Sequence, residues 1–109
     1  MEKIIFGIDP GIADTGYGFI RVQGGNLECL DYGSIKTPAG QPLPERLQSL
    51  YQELRLLLEK YRPQVAAVEQ LFFNKNVRTA LIVGQARGVA LLAVSQQGIP
   101  LLDFTPAQV

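Results

Sequence analysis

The chain has 109 residues, 47% of them hydrophobic, with ten basic and ten acidic side chains and no net charge. That length sets one domain, residues 1–109, with room for a sizeable core, and the balanced charge does not announce a nucleic-acid binder. With no histidine and one cysteine, Cys29, the composition excludes Ser-His-Asp and Cys-His catalysis, an internal disulfide and a CxxC zinc site.

Any metal would be held by oxygen ligands, which suits magnesium, with manganese as a substitute. No apolar stretch reads as long enough to cross a bilayer, so no membrane partner is expected. The N-terminal MEKIIFGIDPG is not read as a signal peptide, because Asp9 interrupts a short apolar run and no small-residue cleavage site follows.

KIIFGID, residues 3–9, predicts a central strand, apolar on both faces. Asp9-Pro10-Gly11 ends it. A second strand, GYGFIRVQ (16–23), meets Gly24-Gly25, a tight hairpin signal. LECLDYGSIKT (27–37) is the third strand, with Gly33 read as a bulge. A loop rich in proline and glycine follows. Pro44 then sits in the first turn of a helix, and Leu47, Leu50, Tyr51, Leu54, Leu57, Leu58 and Tyr61 recur at spacings of three and four to make one apolar stripe. Arg62-Pro63 stops that helix. VAAVE (65–69) is a short buried strand. Asn76 caps a second helix reaching about Gln97, where Gly98 ends it. IPLLDF (99–104) is the fifth strand. Thr105-Pro106-Ala107-Gln108 has the form of a capping box and announces a third helix.

The order is βββαβαβ. Strands one to three form an antiparallel meander, and strand four, after a crossover helix, lies parallel to a neighbour. If that neighbour is strand one, Asp9 and Glu69 stand side by side on strands about 4.8 Å apart, within reach of one divalent cation. Asp9 on its own also reads as a turn aspartate capping nearby amides. Glu69 also reads as a buried ion-pair partner of Arg87 or Lys75, since an unpaired carboxylate at the end of an apolar strand is costly. Asp14 and Thr15 read as ordinary loop polarity, and Asp103 as structural.

From Lys60 to Arg87 the bases are Lys60, Arg62, Lys75, Arg78 and Arg87, and the sole acid after Lys60 is Glu69. Such a stretch either attracts phosphates or is a mixed surface. A helix beginning at Asn74-Lys75-Asn76 offers a phosphate site at its N-terminus. Phe72 and Phe73 either pack under the second helix or offer a ring for stacking on an unpaired base. In GQARGVALLAV, Gly84 and Gly88 allow close packing of that helix.

GIDPG with TGYG, then VEQLFFNKN, then GQARGVA, in this order, resembles the RuvC family of Holliday junction resolvases, bacterial endonucleases with a ribonuclease H-like fold. The resemblance runs from the first strand to Val109. It implies an α/β, ribonuclease H-like mixed sheet with helices on its faces. It also implies a cytoplasmic homodimer that cuts four-way junction DNA by symmetric, magnesium-dependent phosphodiester hydrolysis, alongside a branch-migration motor complex.

The family's aspartate matches Asp9 and its glutamate matches Glu69, the implied catalytic and metal-binding residues. Its junction-facing aromatic matches Phe72, with Lys75, Asn76 and Arg78 as further DNA contacts. Gly84, Arg87 and Gly88 fall on its dimer helix. Two further acids belong to a C-terminal helix that these residues do not include. The expectation is therefore an incomplete catalytic set, an apolar sheet face left open and lowered stability. Three other readings stand beside this one. They are a ribonuclease H-like nuclease acting on ribosomal RNA precursors, a non-catalytic junction-binding or dimerising fragment, and a nucleotide-binding phosphotransferase half-domain using DPG as a phosphate loop.

Overall fold

The apolar runs pair into one five-stranded sheet of order β3-β2-β1-β4-β5. The strands are β1 (Glu2–Asp9), β2 (Asp14–Gln23), β3 (Asn26–Lys36), β4 (Val65–Glu69) and β5 (Leu101–Phe104), with helices α1 (Leu43–Tyr61) and α2 (Val77–Gln96) between them. The computed structural model describes residues 2–69 and 77–104, and only the backbone of Glu69, Val77, Asp103 and Phe104.

β1, β2 and β3 form the expected antiparallel meander. Gly24 carries φ +61 at the first central position of the hairpin, where only glycine is unstrained. β2 begins at Asp14, two residues earlier than the pattern suggests. Its ladder to β3 runs on through Thr15↔Ile35 and Asp14↔Lys36 after the ladder to β1 has stopped at Asp9↔Gly16.

The bulge is not at Gly33. The register shifts where Phe19 faces Asp31 and Ile20 faces Cys29, which leaves Leu30 as the extra residue. Gly33 has a different reason to be glycine: a Cβ there would come within 3.0 Å of the Tyr17 hydroxyl.

Parallel pairing of β1 with β4, from Ile5↔Val65 to Ile8↔Val68, satisfies the crossover through α1. That helix follows Pro42 at its N-cap, has Pro44 in its first turn and ends at Arg62 in the left-handed conformation, φ 47 and ψ 61. Pro63 disfavours the right-handed helical conformation for the residue before it. Leu50, Leu54 and Leu58 are fully buried, each worth roughly 1.5–3 kcal/mol of burial.

α2 corrects one expectation. From Arg78 to Gln96 it is long and apolar enough to cross a membrane by length and composition. Its Ala86, Ala90, Ala93 and Val94 are instead buried in the core with α1 and the sheet, and small residues let it approach closely. A core helix of this kind satisfies the same length test.

Both helices share one face of the sheet. Phe6 and Ile8 of β1, Phe19 of β2, Ile35 of β3, and Ala66 and Val68 of β4 join their buried residues in a single cluster. Side chains alternate along a strand, so Ile5, Gly7 and Asp9 fall on the other face, with Gly16, Gly18 and Ile20 beside them. On that face Ile20 is 42%, Leu102 59% and Tyr32 79% exposed, the open apolar surface that was expected.

Candidate functional site

β1 delivers Asp9 to the C-terminal edge of the sheet. Glu69 closes the neighbouring parallel strand, one position past the last pair, Ile8↔Val68. Asp9 is exposed. Opposite it stands Gly16, where a Cβ would lie 3.9 Å from the Asp9 Cβ, so the glycine keeps that flank open. Among the described residues, nothing forms a hydrogen bond or ion pair with the Asp9 carboxylate.

The chain turns back after Asp9 in a loop held by side chains from β2, from α1 and from the residue that follows β3. Thr15 Oγ1, fully buried, donates to the Gly11 carbonyl at 2.6 Å and accepts from the Gly11 N–H at 3.2 Å. Thr37, just past β3 and 5% exposed, donates its hydroxyl to the Ile12 carbonyl and its backbone N–H to the Ala13 carbonyl. Arg46, in the first turns of α1, donates Nε to Thr37 Oγ1 at 3.0 Å and Nη2 to the Thr37 carbonyl at 3.2 Å. Gly11 itself cannot be replaced without movement: a Cβ there would sit 2.4 Å from the Asp14 carbonyl oxygen.

On the open side of β2, Asp14 pairs with Lys36 at 2.9 Å. The hydrogen bonds from Lys36 and Ser34 hold its carboxyl below the usual carboxylate range. Asp14 and Thr15 are therefore not loop polarity. They open β2, one tied to β3 and the other turned inward. Thr15, Thr37 and Arg46 carry no sequence signal of this role. Thr15 reads as loop and Thr37 as a β-former at a strand end, and the burial of either depends on what packs over it.

The remaining predicted residues divide. Arg78 lies exposed in the first turn of α2, the end that follows β4. Gly84 and Gly88 are exposed on α2, and Arg87 is half-buried there. Phe72, Lys75, Asn76 and the capping box at 105–108 lie outside the described residues. The basic stretch does not form one patch. Lys60 and Arg62 end α1 at the opposite edge of the sheet, where the Gln64 N–H meets the Ile4 carbonyl.

Carboxylate oxygens at the edge of β1, with a second acid closing the adjacent strand, are donors of the kind a hard divalent cation takes. No cluster of three or more acidic, histidine or cysteine side chains occurs among the described residues.

The sequence profile of the family described as crossover junction endodeoxyribonuclease RuvC matches residues 5–109. The chain belongs to the RuvC family. It is 56% identical over 103 residues to a crossover junction endodeoxyribonuclease RuvC of Chloroflexus aurantiacus, covering 94% of this chain and 63% of that one. A Brevibacillus brevis RuvC is 52% identical over 105 residues, with 96% and 63% covered. Among solved structures, Thermus thermophilus RuvC in complex with a Holliday junction substrate superposes with TM-score 0.88 at 30% identity, covering 97% of this chain and 66% of that one. The chain thus spans about two-thirds of the length of the RuvC relatives it matches.

Proposed function

We propose that this RuvC-family chain carries the first half of the active site of a structure-specific endonuclease that resolves four-way DNA junctions in recombination and repair. The observation that supports the reading most is the parallel register of β1 and β4, with Asp9 and Glu69 closing adjacent strands at one edge of the sheet.

In this reading Asp9 and Glu69 hold magnesium or manganese. The metal's contribution when bound is an activated water and a stabilised leaving oxygen for phosphodiester hydrolysis. Asp9 offers an exposed carboxylate with no competing partner among the described residues. Two carboxylates suit one cation better than two, so these 109 residues carry only part of a catalytic set.

Arg78, exposed at the α2 N-terminus, adds positive charge where a helix dipole already favours phosphate. Lys75 and Asn76 extend that contact, and Phe72 stacks on a base at the crossover. The exposed Gly84 and Gly88 on α2, flanked by Leu81 at 58% and Leu92 at 50% exposure, supply a close-approach surface for a second copy, with Arg87 beside it. A branch-migration motor complex and a bacterial cytoplasmic setting complete the reading. Family membership argues against the ribosomal-RNA nuclease and phosphotransferase alternatives.

The test is incubation with a synthetic four-way junction and magnesium, beside matched linear duplex, with Asp9→Asn and Glu69→Gln variants. Junction-selective binding is expected, with cleavage weak or absent. Symmetric nicks lost in both variants would show the catalytic set to be sufficient. Equal binding to duplex and junction would overturn the reading.

A further inference from the structure

We infer that Thr15, Thr37 and Arg46 are positioning residues that fix the loop after β1 and so set where the Asp9 carboxylate meets a divalent cation. This rests on the metal-binding reading of Asp9. Thr15 lies on β2, Thr37 just past β3 and Arg46 on α1, all outside the DPG and VEQ blocks.

Asp9 stands exposed at the end of β1. No described side chain orients its carboxylate, so its placement comes from the backbone on either side. Upstream is β1, held in the sheet by β2 and β4. Downstream are Pro10 to Ala13, which lie outside every strand. Loop carbonyls and amides would ordinarily be solvated and mobile. Here three consecutive residues are bonded instead. The Thr15 hydroxyl closes both polar groups of Gly11, and Thr37 takes the carbonyls of Ile12 and Ala13. Arg46 then orients Thr37 from α1 by occupying its hydroxyl lone pair and its carbonyl.

Both threonines are at least 95% buried, Thr15 at 0% and Thr37 at 5% exposure, so water does not substitute for a lost bond at low cost. The Thr37 hydroxyl has its proton committed to Ile12 and its lone pair to Arg46, a chain that transmits the position of α1 to the loop. Groups that orient metal ligands from behind typically change metal affinity about 10- to 100-fold when removed.

The experiment is a manganese titration of the full chain, followed by water-proton relaxation, with thermal unfolding measured in parallel. Thr15→Val and Thr37→Val keep shape and remove the hydroxyl. Thr37→Ser restores it. Arg46→Met keeps the apolar stem of a half-buried side chain, so it reports even if a fully buried variant fails to fold. Asp9→Asn defines the binding that belongs to this site.

Asp9-dependent manganese affinity should fall about tenfold in Thr37→Val, Thr15→Val and Arg46→Met, and Thr37→Ser should recover it. Unchanged affinity in folded Arg46→Met and Thr37→Val would overturn the positioning role while leaving the metal reading intact. A Thr37→Ser variant as weak as Thr37→Val would assign the loss to packing and also overturn it. Absence of any Asp9-dependent binding in the unsubstituted chain would overturn the metal reading, and this inference with it.

Discussion

Phe19 and Ile20 are consecutive residues of β2, yet Phe19 is fully buried and Ile20 is 42% exposed. Phe19 lies between Phe6, at 4.7 Å between ring centroids, and Tyr61, at 4.5 Å. Ile20 faces the side that neither helix covers. The same strands therefore present two different surfaces. One is filled by aromatic and branched residues from the sheet and leucines and alanines from the helices. The other is paved near Asp9 with Gly7, Gly16 and Gly18, where added Cβ atoms would meet nothing closer than 3.9 Å. The covered face carries stability and the open face carries access. Asp9 is placed on the open one by nothing more than strand alternation.

The largest expected effect lies on the covered face. Phe19→Ala should cost about 3–5 kcal/mol, because the hole opens between rings held by both the sheet and α1. Urea denaturation measures it, and a loss below about 1 kcal/mol would mean that this face is not the core.

Gly11→Ala comes next. Its Cβ meets a backbone oxygen rather than a flexible side-chain tip, so the loop must move, at about 1–3 kcal/mol. It should also disturb the surroundings of Asp9, read from the amide resonances of residues 9 to 16.

Ile20→Ser should change stability by no more than about 0.5 kcal/mol, the usual range for an exposed site. A cost near that of Phe19→Ala would break the comparison, since the open face would then be covered in solution.

The smallest effects are titrations, and they run in opposite directions on the two faces. Burial on the helix side, reinforced by the nearby Asp31 carboxylate, pushes the Tyr17 hydroxyl above its ordinary 10.0. The unfolded chain loses that proton first, so stability is intact below pH 10.0 and declines as pH rises through the raised folded value. Tyr17→Phe should flatten that alkaline decline in a series of melts. On the open side, hydrogen bonds from Lys36 and Ser34 lower Asp14 from 3.8. Its contribution is present above pH 3.8 and is lost as pH falls through the lowered folded value. Asp14→Asn should remove a small acid-side slope, and an unchanged slope would show the exposed ion pair to be without consequence.

Local pattern was sufficient where local physics decides. The run into Asp9, the glycine hairpin, the leucine stripe of α1 and the stop at Arg62-Pro63 are all written in neighbouring residues. Asp14 and Thr15 look like loop until β3 pairs with them, so the strand pattern in the sequence starts two residues after β2 does. A glycine in a strand has several possible reasons, and that of Gly33, the Tyr17 ring against it, belongs to another strand. Length and hydropathy alone could not separate α2 from a bilayer span, since a helix rich in Ala, Val and Leu suits either the protein core or lipid.

By itself the sequence determined the element types, their order and the acids that close β1 and β4, because periodicity, turn chemistry and the DPG, VEQ and GQARG blocks are local properties. Only the tertiary structure decided that β1 and β4 are direct neighbours. It also decided that both helices share one face and that Thr15, Thr37 and Arg46 converge on one loop. Strand pairs and long-range hydrogen bonds join residues up to 60 positions apart, as the Ile5↔Val65 pair does. Such contacts come into being only when the chain closes on itself, so no short window of sequence contains them.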